Sequence, residues 1–129
     1  MSTWILSLIV PLVIGALWHG LSLKIACALA GEDSPGFMRA MAVSWMGGIG
    51  GAVTGVFWSI TLGAAISLFL SSNIAFGLGM LVQLFAVGLV YKKGLRISMP
   101  AGIGVAGIHT LLSFAVNAAL GWFTYTTLM

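Results

Sequence analysis

From Ala40 to Tyr91 the chain carries no charged side chain. A water-soluble domain has to solvate its surface and averages about 25% charged residues, so a stretch of this kind has no place on a soluble fold. A helix needs roughly 20 apolar residues to cross a hydrocarbon core about 30 Å thick, and the stretch is long enough for more than one crossing. The whole sequence is of the same character: 60% of its 129 residues are hydrophobic and 5% are charged. Such a length allows one domain of four spans, or at most five, and leaves no room for a separate soluble enzyme domain.

The polar clusters divide residues 1–129 into a single all-α integral membrane domain. Its four transmembrane helices are expected over residues 4–23, 40–70, 74–91 and 101–126. Pro11 marks a kink in the first, and a helical extension runs on from Lys24 to Ala30. The segment Gly31-Glu32-Asp33-Ser34-Pro35-Gly36 reads as a loop, with Ser34 and Pro35 suited to the N-cap and first turn of the next helix. Ser71-Ser72-Asn73 splits the long apolar stretch. The piece before it would be about 46 Å long as one helix, so it has to tilt, kink or protrude. Gly47, Gly48, Gly50 and Gly51 are the expected place for a bend.

All five basic residues, Lys24, Arg39, Lys92, Lys93 and Arg96, fall on one side of this four-span layout. Cytoplasmic loops collect Lys and Arg, so the basic connections are expected in the cytoplasm and both termini on the non-cytoplasmic side, as in a bacterial inner membrane. No basic side chain precedes the first apolar run, which therefore reads as a span rather than a cleaved signal, despite the Ala28-Leu29-Ala30 triplet. The formal net charge of +3 fits loops lying against anionic headgroups and gives no reason to expect a nucleic-acid partner. The two halves are loosely alike, each with basic residues, a Ser/Pro connection and a Gly-rich helix, a pattern that membrane constraints alone also generate.

Gly47, Gly51 and Gly55 recur every fourth residue and form a glycine-zipper ridge on one helix face. In lipid, helices associate by close packing, which such small residues permit. The neighbour is either a helix of the same bundle or one from a homo-oligomer or another membrane subunit. Gly102-Ile103-Gly104-Val105-Ala106-Gly107 matches the dinucleotide-binding pattern only as a string, because no strand precedes it. Gly102 and Gly107 read instead as a second packing ridge.

Among polar residues inside the spans, Gln83 and His109 stand at equal depth, about 12 Å from the cytoplasmic boundary by helical rise, and are expected to face each other. His109, Ser113 and Asn117 share one helix face. Interhelical hydrogen bonding accounts for this group, and a polar pathway is its functional alternative. His19 and His109, on different helices at similar depth, are the residues that could ligate a b-type haem; no other cofactor and no metal site is expected, since a third ligand is missing from the spans. Cys27, the only cysteine, reads as an apolar packing residue. Trp4, Trp122, Tyr125 and Tyr91 are expected in interfacial belts.

Catalysis is not expected, because the only carboxylates are Glu32 and Asp33 in a loop. The inventory of abundant glycine, few polar groups and short connections suits a structural or accessory membrane subunit that assembles through helix packing. An oligomeric small channel or transporter, with a polar lining from the third and fourth helices, is the alternative.

Overall fold

The structure is a computed structural model and describes residues 3–128. It consists of five helices: α1 (Thr3–Leu29), α2 (Phe37–Ile60), α3 (Leu62–Phe69), α4 (Ser72–Leu95) and α5 (Met99–Leu128). All but α3 are long and apolar enough to cross a membrane, and the chain is an all-helical, multi-pass membrane protein.

Helix α1 continues through Lys24 to Leu29 before a left-handed residue stops it. Gly31 has φ 75°, its N–H donates to the Ala28 carbonyl at 3.2 Å, and Glu32 N–H donates to the Cys27 carbonyl at 2.9 Å. These are the paired bonds of a Schellman stop, which satisfy carbonyls the helix would otherwise leave open. Ser34 and Pro35 do not begin the next helix, contrary to the expectation from sequence. Helix α2 starts at Phe37 with Gly36 at its N-cap and no side-chain cap. The loop is held back over the end of α1 instead, where Lys24 Nζ donates to the Pro35 carbonyl at 2.9 Å.

The long apolar segment breaks at Thr61, whose φ of −117° and ψ of −108° are not helical, and not at Gly47–Gly51. Gly47, Gly50 and Gly51 lie against Tyr91, Val90 and Val87 of α4, a seam that only an unbroken helix keeps in register. At the break, the Trp58 indole Nε1 donates to the Ala75 carbonyl on α4 at 3.0 Å. A methyl group on Gly63 would come within 2.8 Å of the Trp58 carbonyl, and one on Gly79 within 2.7 Å of its indole. Bare backbone on both sides thus lets the tryptophan sit between α3 and α4. Helix α3 is eight residues long, about 12 Å, too short to span. Ser71 then caps α4, its Oγ accepting from Ile74 N–H at 3.1 Å.

The four long helices alternate in direction, so the α1–α2 and α4–α5 connections share one end of the bundle. Arg39 Nε ties them together by donating to the Gly94 carbonyl at 2.8 Å. The packed core lies at this basic end: Leu23, Ala26 and Cys27 of α1, Ala40 and Val43 of α2, Tyr91 of α4, and Val105 and Ala106 of α5 form one cluster. At the opposite end α1 is exposed from Thr3 to Ile14, and no residue of α5 beyond His109 is buried. The total accessible surface is 8638 Å², whereas surface scaling gives about 6,500 Å² for a compact chain of the same mass.

Candidate functional site

Each spanning helix sends one polar side chain to a common point in the packed half of the bundle: Ser22 from α1, Ser44 from α2, Tyr91 from α4 and His109 from α5. They are 0%, 5%, 2% and 7% exposed respectively, too closed for water to substitute for a lost partner. The Tyr91 hydroxyl lies 2.6 Å from His109 Nδ1, and His109 Nε2 lies 2.9 Å from Ser22 Oγ. The Ser22 hydroxyl donates to the His19 carbonyl at 3.1 Å. Because a serine has a single O–H to give, Ser22 accepts from His109, which places an imidazole proton on Nε2. In the tautomer with that proton alone, Nδ1 accepts from the Tyr91 hydroxyl, and the donors run one way from α4 through α5 to α1.

Ser44 Oγ is buried beside the Tyr91 side chain and has no hydrogen-bond partner among the described residues. Tyr91 reaches this point because Gly47 lies beneath its ring, where an added methyl group would come within 2.5 Å of it. The expected belt position for Tyr91 is therefore corrected. Helix α4 continues to Leu95, which draws Tyr91 a turn inward, and the bare backbone of Gly47 receives it. Trp4, Trp122 and Tyr125 are exposed at the far end of the bundle.

The glycine ridge faces α4 of the same chain. Gly47, Gly51 and Gly55 oppose Tyr91, Val87 and Gln83 in antiparallel register, with a methyl group on Gly51 falling 3.1 Å from Val87 Cγ2 and one on Gly55 meeting the Gln83 carboxamide. Gly102 opposes backbone, where a methyl group would lie 2.6 Å from the Gly88 carbonyl, while Gly107 has nothing within 4 Å.

Gln83 does not meet His109. Equal depth fixed their heights but not their azimuths: Gln83 is two turns and about 80° around α4 from Tyr91 and lies on Gly55, while both nitrogens of His109 are taken by Tyr91 and Ser22. Of the residues that share a face with His109, Ser113 is half-buried and Asn117 is exposed. Both line a groove of about 460 Å³ between α1 and α5, together with Pro11, Trp18 and His19. The His19 ring stands edge-on to that of His109, with centroids 5.9 Å apart and planes at 83°. With no nitrogen of His109 free, the two histidines do not make an axial pair for haem iron. A second, smaller pocket of about 290 Å³ opens at the helix break, with Trp58, Ser59, Ser67 and Gln83 in its wall.

Comparison with known protein families, curated proteins and solved structures finds no match to this chain. The functional reading rests on its own geometry.

Ser22, Ser44 and Tyr91 were not recognisable as site residues from sequence. A serine inside a span is unremarkable on its own, since its hydroxyl can return to its own helix. The available signal was the spacing of His19 and Ser22, one turn apart near a histidine-bearing partner helix.

Proposed function

We propose that this protein is a non-catalytic structural or accessory component of a membrane assembly, either a homo-oligomer or a complex with other membrane subunits. The observation that carries this reading is the contrast between the two ends of the bundle. The basic end is closed by a core, a four-helix polar junction and an Arg39 clamp. The opposite halves of α1 and α5 contribute no buried residue. Glycine packing on this reading serves the subunit itself, since Gly47, Gly51 and Gly55 are occupied by α4, and docking falls to the open face of α1 and α5. The basic end is assigned to the cytoplasm, with the start of α1 and the end of α5 on the other side, in a bacterial inner membrane.

Small-channel or transporter activity is the second reading, and one observation favours it: His19, His109 and Tyr91 form a continuous polar string from the α1/α5 groove into the core. Purification of tagged protein from native membranes in mild detergent tests the first reading, which expects a stoichiometric complex larger than the monomer. Proton or ion flux across proteoliposomes of the purified protein, abolished by His109→Leu, would instead establish the second.

A further inference from the structure

Ser44 is the buried side chain that the polar junction leaves unpaired. Its residue is 5% exposed, and its Oγ has no hydrogen-bond partner among the described residues. Other hydroxyls of α2 turn back onto their own helix: Thr54 Oγ1 donates to the Gly50 carbonyl at 2.7 Å and Ser59 Oγ to the Gly55 carbonyl at 2.9 Å. Ser44 does not, although a buried hydroxyl without a partner is costly. What lies beside it is Tyr91. Position 44 stands about one turn before Gly47 on the same face of α2, and the Tyr91 hydroxyl lies over that face, 3.3 Å from where a methyl group on Gly47 would be. A hydroxyl hydrogen rotates to suit its acceptors, so that of Tyr91 has two to choose from, His109 Nδ1 and Ser44 Oγ.

We propose that the junction is a two-state latch in which Ser44 is the alternative acceptor for Tyr91. In the first state Tyr91 donates to His109 Nδ1, His109 Nε2 donates to Ser22, and Ser22 donates to the His19 carbonyl, so that hydrogen bonds join α4, α5 and α1. In the second state the donors are reversed. Ser22 turns its O–H to His109 Nε2, His109 carries its proton on Nδ1 and donates to Tyr91, and Tyr91 donates to Ser44. The separations of 2.9 Å and 2.6 Å suit a bond of either polarity, and all four side chains are uncharged in both states. The His19 carbonyl, inside α1, still accepts from its own helix. Only the second state ties α2 to the chain, so the tautomer of one imidazole sets whether three or four spanning helices are linked. The exchange balances. One proton enters at the Tyr91 oxygen as the Tyr91 proton moves to Nδ1, the Nε2 proton moves to Ser22 Oγ, and the proton that Ser22 held departs. Water reached during local opening supplies the first and takes the last, and the proton count of the junction does not change.

Nitrogen-15 NMR of the histidine-labelled full chain in lipid bilayers at neutral pH tests this, because each ring nitrogen reports whether it carries a proton. The chain has two histidines, and a His19→Gln background leaves His109 as the one observed. That background protein should show two neutral tautomers, one protonated on Nε2 and one on Nδ1. Ser44→Ala takes away the terminal acceptor of the second state and no hydrogen bond of the first, so the fold persists and the Nδ1–H form should be lost. Ser22→Ala takes away the acceptor for Nε2–H and should shift the ratio the opposite way, toward Nδ1–H. A merely orphaned Ser44 would move neither population. A single Nε2–H tautomer in the background protein, a ratio unchanged by Ser44→Ala, a ratio unmoved by Ser22→Ala, or protons on both nitrogens at once would each overturn the latch.

Discussion

Replacing Tyr91 by Phe removes one hydroxyl and leaves the ring over Gly47, so it isolates the hydrogen bond between α4 and α5. His109 Nδ1 then becomes a buried acceptor without a donor, at a site where His109 is 7% and Tyr91 2% exposed. Leaving such a group unsatisfied costs about 1–3 kcal/mol, whereas side-chain hydrogen bonds between membrane helices average about 0.6 kcal/mol and reach about 1.7. The short 2.6 Å contact and the closed surroundings place this one near the upper end, at about 1.5 kcal/mol. A double-mutant cycle with His109→Leu apportions it. Once His109 is gone, the hydroxyl at position 91 has no imidazole to serve, so Tyr91→Phe should then cost about 1 kcal/mol less than it does alone. Reversible unfolding in mixed micelles of SDS and a mild detergent, followed by circular dichroism, measures all four variants. Additivity within about 0.3 kcal/mol, as for residues that do not touch, would refute the donor chain from Tyr91 to Ser22.

The glycines supply paired tests. Gly102→Ala should destabilise by about 1–3 kcal/mol, because the new methyl group meets the Gly88 carbonyl at 2.6 Å and backbone cannot swing aside; Gly107→Ala, in open space, should be neutral or stabilise by up to about 1 kcal/mol in the same unfolding assay. Gly51→Leu should separate α2 from α4 and abolish a folded, monodisperse protein by size-exclusion chromatography, while Ile49→Leu, at a position 60% exposed, should elute like the parent. For orientation, Lys93→Cys and Ser72→Cys, both at exposed positions and in a Cys27→Ser background, should react with an impermeant maleimide from the cytoplasmic and the outer face respectively. Labelling of both from the same face would refute the orientation.

What could be read directly from the residues is what depends on solvent and on chain order. Lipid admits only helices that satisfy their own backbone, so an apolar stretch such as Ala40 to Tyr91, cut at Ser71–Asn73, yields spans whatever the packing, and alternating spans put every basic residue at one end. Depth was legible for the same reason, since helical rise is constant: His19 and His109 do stand level. Direction around the helix axis was not. Gln83 and His109 share a height, yet one lies on Gly55 and the other between Tyr91 and Ser22, because azimuth is set by which helices become neighbours. The position of the break was likewise decided in three dimensions. Four glycines in a row of five residues look like a hinge in isolation, but Gly47, Gly50 and Gly51 are filled by side chains of α4, and the chain turns at Thr61, where Trp58 reaches across to Ala75. Composition and periodicity thus determined a four-span bundle with one basic end. Only tertiary packing decided that a buried donor chain joins its helices and that polar groups remain uncovered on α1 and α5, because contacts between side chains on different helices have no counterpart in the order of residues along one.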